Sequence, residues 1–188
     1  MFAAMSNDTT NKILDQYVSI LLEELDNPDT FSVILKGQLH IESYLNTMLE
    51  SISTNTSDLE LDKLMFVRKI KLCSSFGLIH NDSKPTLIKL ANLRNKLAHE
   101  LWHNISDKDI TDLENTFKSC PSLNTENITI QMKSRVGKVI FFICLYAYTQ
   151  SLNLLESRKG IFQFWLKQIN YTHHGEDSIT LKFFSKLP

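Results

Sequence analysis

The stretch Val136–Tyr148, with the sequence VGKVIFFICLYAY, decides the fold of this 188-residue chain. It is shorter than the roughly 20 apolar residues that cross a bilayer, so it does not predict a membrane span. A helix of this sequence is apolar almost all round, which is typical of the centre of a core or of a subunit interface. We expect the core position, in a long sixth helix that runs from about Ser134 to Leu155.

Several segments before it have apolar residues at spacings of three and four, the pattern of amphipathic helices. Five glycines and four prolines are too few for a fold of many short strands. We therefore predict an all-α bundle around a long apolar central helix, with a less regular C-terminal tail from about Gly160. The earlier helices are expected at about Asn11 to Leu25, Phe31 to Ser51, Leu61 to Phe76, a fourth entered at Asn81 to Pro85, and a short fifth that starts after Ser106 and ends before Pro121.

Local signals predict several of the helix ends. Ser106 with Asp109 three positions later resembles a capping box, in which two side chains bond each other's backbone amides. Gly77 is a suitable stop for the third helix, because glycine readily adopts the left-handed conformation found there. In that third helix we expect Arg68 and Lys69 to point largely outward.

The chain has no repeat and no linker that would divide it. We predict a helical domain over residues 11–158, a flexible leader over residues 1–10, and a C-terminal extension over residues 159–188 that packs on the same domain. The leader lacks the basic start and apolar core of a signal peptide. Three widely spaced cysteines without a CxxC pattern suit reduced thiols. We expect a cytoplasmic protein without a membrane span.

Positive charge is concentrated in the middle of the chain. From Lys63 to Lys96 there are eight lysine and arginine residues and one acidic residue, Asp82, although the whole chain has a net charge of −1. A basic segment of this kind can bind phosphate groups. It can also be a solvated helix face that pairs with the acidic flanks, so charge alone leaves both interpretations open.

The segment Arg94–His99, with the sequence RNKLAH, combines residues that suit phosphodiester chemistry. On a helix Asn95 and His99 share a face, whereas Arg94 and His99 are about 140° apart around the axis. An imidazole can transfer protons near neutral pH, and a guanidinium can hold a phosphate through two hydrogen bonds. The set therefore suits cleavage without a metal ion, although such residues on an exposed helix usually form only salt bridges and caps.

Arg94–His99 resembles the R-x4-6-H signature of the HEPN superfamily, in the form with a polar residue directly after the arginine. The resemblance covers about residues 12–157 and implies a bundle of four to five helices, usually dimeric, with the active cleft between two motif helices. It implies a metal-independent endoribonuclease of the toxin–antitoxin or antiphage-defence type. In that role Arg94 would bind the scissile phosphate, His99 would act on the ribose 2′-hydroxyl or the leaving oxygen, and Asn95 would support both.

The resemblance also implies the partners: RNA, a second copy of the chain, and an antitoxin or regulatory protein. Many toxin members have a tyrosine shortly after the histidine, which their antitoxins modify; Trp102 stands in its place here, which puts that type of control in doubt. Glu42 could face the motif as an extra polar group, although a helix-surface carboxylate is the plainer interpretation. The side chains expected to contact RNA are Lys96, Lys89, Arg68 and Lys69.

No cofactor or metal ion is expected. His173 and His174 with Glu176 suggest metal ligands at first sight, but adjacent side chains seldom converge on one ion. Two other functional classes compete with the nuclease. One is a non-catalytic HEPN-like module that regulates or binds a partner, and the other is a helical adaptor in which Arg94 and His99 only cap and pair.

Overall fold

The computed structural model describes the backbone of residues 7–99, 105–123 and 132–172, and the side chains of residues 16–98, 105–123 and 132–154. Regular structure in these ranges is helical and contains no strand, which confirms the predicted all-α class. The α-helices there are α1 (Asn7–Leu25), α2 (Thr30–Ile52), α3 (Phe66–Ser75), α4 (Lys84–His99), α5 (Asp107–Lys118) and α6 (Arg135–Thr172). Short 3-10 helices lie at Thr56–Leu59, Leu61–Lys63 and Pro121–Leu123.

Side-chain caps explain where two of these helices begin. Asp29 precedes α2, and its Oδ1 accepts a hydrogen bond from the amide of Phe31 at 3.1 Å. The capping box at α5 is confirmed, because Ser106 Oγ accepts from the amide of Asp109 and the Asp109 carboxylate accepts from the amide of Ser106. Each bond satisfies an amide that the first helical turn leaves without a partner.

The third helix differs from the expectation at its start. Leu61–Lys63 form a separate 3-10 turn, and α3 begins only at Phe66. The break has a backbone cause, because Leu64 and Met65, which lie between the 3-10 turn and α3, are both extended. At the other end Gly77 adopts φ of +68° directly after the helix, as its predicted role as a stop requires.

Close contacts join α2 to α1, α3 and α4. At Gly37 of α2 a methyl group would overlap Cγ2 of Ile140 in α6, so only glycine permits this approach. The Cys144 thiol lies 3.5 Å from the Gly37 carbonyl oxygen at the same crossing. Ahead of α6, Asp26 Oδ1 accepts from the amide of Ser134 at 3.0 Å, which fixes the start of α6 against the end of α1.

The chain divides into two compact units, Met1–Ser151 and Leu152–Pro188. In the first unit, Ile140, Phe141 and Cys144 of α6 are fully buried. In the second, α6 continues to Thr172, which corrects the expectation of irregular structure from Gly160. A single glycine within a helix costs only about 1 kcal/mol, so it need not end one. At the other end of the chain, α1 starts at Asn7, inside the expected leader.

Candidate functional site

The motif helix α4 buries one face and exposes the other. Leu87, Leu90 and Leu93 are at most 2% exposed, and they hold the helix against its neighbours α2, α3 and α5. Arg94 is partly exposed and Asn95 is exposed, so both are accessible on the helix that the apolar face positions. His99 is the last residue of α4, and its side chain lies outside the described part of the chain.

Arg94 and Asn95 border a cleft of about 440 Å³ between α4, α2 and the start of α3. Both come from the predicted motif, whereas the other polar lining residues, Gln38 and Glu42, come from α2. The remaining lining residues are apolar, and they are Ala91 of α4 and Leu64, Met65, Phe66 and Val67 around the start of α3. The cleft therefore combines one cation with two polar side chains of α2 and an apolar wall.

Among the described residues, the Arg94 guanidinium makes one hydrogen bond, and it is weak. Its Nη1 donates to Asn95 Oδ1 at 3.4 Å, which is at the long end of the range for such a bond. Among the described side chains no carboxylate lies within ion-pair distance of it. A guanidinium has five N–H donors, so most of its bonding capacity remains for a ligand. This geometry suits an anion such as a phosphate.

Glu42 lines the cleft and forms an ion pair that the sequence did not predict. The ammonium group of Lys69 lies 2.6 Å from Glu42 Oε1, and the side chain of Lys69 is 3% exposed. The expected outward orientation of Lys69 is therefore wrong, and a group so enclosed cannot reach an RNA backbone. The sequence spacing could have indicated this burial. Lys69 lies three positions after Phe66 and four before Cys73, so all three share one helix face, and all are buried. We assign Lys69 the structural role of holding the Glu42 carboxylate beside Arg94.

Gln38 is a buried polar residue in the same cleft. It is 8% exposed, and its side-chain oxygen Oε1 is enclosed without a hydrogen-bond partner among the described residues. Buried polar atoms nearly always find a partner, so an exception needs an explanation. The predictions from sequence did not include Gln38, although this glutamine lies between Ile34 and Ile41 and interrupts an otherwise apolar face of α2.

The other cations expected to contact RNA differ in their availability. Lys89 pairs with Asp112 at 3.0 Å and Lys96 pairs with Asp109 at 3.1 Å, so both join α4 to α5. Arg68 on α3 is exposed. The basic segment thus combines internal pairing, as one interpretation of its charge predicted, with cations that remain accessible.

Asp109 is a strongly perturbed acid next to the motif helix. A hydrogen bond from the Ser106 hydroxyl is the main reason that its pKa falls to about 2, and the Ser106 amide and the Lys96 ammonium add to the effect. All these groups stabilise the charged carboxylate. Asp109 therefore stays ionised at neutral pH and acts as a fixed partner for Lys96 rather than as a proton donor.

The cysteines provide no alternative nucleophile. Cys73, Cys120 and Cys144 are all buried and unpaired. Burial raises the pKa of the Cys73 thiol to about 12 and raises the pKa of Cys144 as well. The reactive form of a cysteine is the thiolate, which is scarce at such values. The chemistry of the site therefore depends on the residues around Arg94.

Metal ligands, membrane helices and similar proteins give no further assignment of this site. In the ranges with described side chains, no three histidine, cysteine, aspartate or glutamate residues come together as metal ligands, and His173 and His174 fall outside these ranges. None of the described helices is both long and apolar enough to cross a membrane. No protein-family model, no curated protein and no solved structure matches the chain.

Proposed function

We propose that the chain is a metal-independent endoribonuclease of the toxin or defence type, built on a HEPN-like bundle with α6 at its centre. The observation that supports this most is the state of Arg94. It lines a cleft without a carboxylate partner among the described side chains, whereas Lys89 and Lys96 on the same helix are paired. An arginine that served only to form salt bridges would be expected to have such a partner.

The proposed chemistry uses the ribose of the RNA as the nucleophile. Arg94 holds the scissile phosphate and stabilises the extra negative charge of the transition state. His99 either removes the proton of the 2′-hydroxyl or protonates the leaving 5′-oxygen. The 2′-oxygen forms a new bond to phosphorus as the bond to the 5′-oxygen breaks, which leaves a 2′,3′-cyclic phosphate and a 5′-hydroxyl. Asn95 supports the reaction from the neighbouring position, where its side-chain oxygen contacts the Arg94 guanidinium.

We propose that two copies of the chain form the complete site. His99 is five positions after Arg94, which places the two residues about 140° apart around a helix axis. Within one helix they do not converge directly on one phosphate. In a twofold dimer, each copy can supply one of the two groups to a shared groove. An antitoxin or regulatory protein would control this assembly in the cytoplasm.

The decisive experiment is incubation of the purified chain with single-stranded RNA in EDTA. We expect the RNA to be cut and to carry 2′,3′-cyclic phosphate ends. DNA of the same sequence should stay intact, because it lacks the 2′-hydroxyl. His99→Ala should reduce the cleavage rate by a factor of about 10² to 10⁴. His80→Ala is a matched control, because His80 is an exposed histidine just before α4 and outside the cleft. If His99→Ala cuts RNA as fast as the wild type, the proposed chemistry is wrong.

A non-catalytic binding module is the second candidate, and the pairing of Lys89 with Asp112 and of Lys96 with Asp109 favours it. These ion pairs reduce the positive charge available to a long polyanion. The same assay separates the two functions. A binding module would shift the mobility of RNA, or of a partner protein, and leave the RNA intact in all variants.

A further inference from the structure

The unpartnered side-chain oxygen of Gln38 points to a recognition pocket next to Arg94. Gln38 is more than nine-tenths buried, and it lines the same cleft as Arg94. A buried acceptor without a donor is unfavourable in the unliganded protein. A ligand that brings an N–H group into the cleft would remove that penalty.

A second acceptor lies one helical turn away on the same face of α2. Residues four apart on a helix are neighbours, so the side chain of Glu42 adjoins that of Gln38. One Glu42 oxygen accepts from Lys69, and the side chain, which lines the cleft, is one quarter exposed. This wall of the cleft is therefore rich in acceptors and suits a ligand edge with N–H donors.

The lining residues from the start of α3 are apolar and suit a flat ring. Met65 is 79% exposed, and Phe66 next to it in the chain is 8% exposed. A thioether is polarisable and makes favourable contacts with aromatic rings. A ligand that fits the apolar residues, the acceptors of α2 and Arg94 has a flat face, an edge with N–H donors and an anionic group. A nucleotide has all three.

We propose that this cleft binds one base of single-stranded RNA and favours bases with an exocyclic amino group over uracil. The inference rests on the proposed function, because it takes RNA as the ligand of Arg94. Adenine, cytosine and guanine present an amino donor that Gln38 Oε1 accepts. Uracil carries a carbonyl oxygen where cytosine has the amino group, and its one N–H, at N3, is flanked by carbonyl oxygens that oppose the acceptors of Gln38 and Glu42. Bases of single strands are available for this readout, because they are not paired.

The test uses nucleotide pairs that differ in one amino group. CMP and UMP, and AMP and IMP, are titrated into the full chain with methyl-labelled methionine. The Met65 resonance should move on binding, while that of the buried Met48 should stay in place. We expect CMP and AMP to bind about tenfold more tightly than UMP and IMP, the usual effect of one hydrogen bond left unmade at a buried group.

Two variants locate the preference. Gln38→Met removes the amide with little change in volume and should abolish the preference for CMP over UMP. Asn46→Leu is the matched control. Asn46 Oδ1 on α2 is also enclosed and has no hydrogen-bond partner among the described residues, but Asn46 does not line the cleft. It should keep the preference. Neither variant should lower the melting temperature, since each removes an unsatisfied polar atom.

The outcomes separate this inference from the proposed function. If CMP and UMP bind equally, if neither binds at millimolar concentration, or if Gln38→Met keeps the preference, the pocket is not a base site, even when the chain cuts RNA. If CMP is preferred and Gln38→Met loses the preference but no RNA is cut, the base site stands and the nuclease is wrong.

Discussion

The two ends of α4 differ in how their polar side chains are bonded. Before its first turn, Asp82 accepts from the amide and the hydroxyl of Ser122 at 3.0 and 2.8 Å. Tyr146 Oη accepts from the amide of His80 at 3.0 Å and donates to Ser83 Oγ at 3.2 Å. In the cleft toward the other end, the one contact of Arg94 with a described side chain is that of 3.4 Å with Asn95, and Gln38 Oε1 has no described partner.

Under the proposed function, this difference separates groups that stabilise the fold from groups that bind the RNA. Burial of Asp82 would raise its pKa, but the bonds from Ser122 outweigh this effect and lower it, so the charge is well compensated. In the cleft the compensation is incomplete at Gln38 and Arg94. Proteins tolerate such incomplete bonding where function requires it, and they offset its cost elsewhere. We therefore expect changes near Ser83 to affect stability and changes at Arg94 to affect activity.

The ion pair between Glu42 and Lys69 is the exception within the cleft, and its disruption should have the largest effect on stability. Glu42→Ala leaves the buried ammonium of Lys69 without its partner, which should lower the free energy of unfolding by about 3–5 kcal/mol. Lys69→Met should cost clearly less, because the remaining carboxylate is one quarter exposed and can be hydrated. Denaturant unfolding of both variants measures this, and equal small losses would contradict the assigned structural role of Lys69.

The sequence predicted the features that depend on neighbouring residues and missed those that depend on distant ones. The helical class, the capping box of Ser106 and Asp109, and the stop at Gly77 follow from short spacings, and the structure confirms them. The burial of Lys69 depends on Glu42, which is 27 residues away, so helix periodicity alone could not assign its partner. The interruption before α3 depends on the extended backbone of Leu64 and Met65, where no glycine or proline marks a break.

The same limit applies to the candidate site. Arg94 and Asn95 were found through the motif, because they are adjacent in the chain. The cleft around them requires α2 and α3 to pack against α4, so the positions of Gln38 and Glu42 emerge only from the fold. The sequence identified Arg94 and raised Glu42 as a polar group near the motif, but it did not single out Gln38.

A smaller effect is expected where α5 supports the motif helix. Ser106→Ala removes the cap of α5 and should lower stability by about 1 kcal/mol near neutral pH. The folded state lowers the pKa of Asp109 from roughly 4 to about 2, so its contribution is present above about pH 4 and is lost as the pH falls toward 2. Because Ser106 is the main cause, the variant should lose less stability between these pH values. Identical acid dependence in both proteins would contradict this assignment.

The most direct test of the central claim measures activity and stability together in two variants, one from each end of α4. Arg94→Lys keeps the charge but loses the fork of N–H donors, so RNA cleavage should fall by a factor of about 10² to 10³. Its free energy of unfolding should stay within about 0.5 kcal/mol of the wild type. Asp82→Asn should lose about 1–3 kcal/mol of stability and keep the cleavage rate of the folded protein. An Arg94→Lys protein that cuts RNA at the wild-type rate would contradict the account.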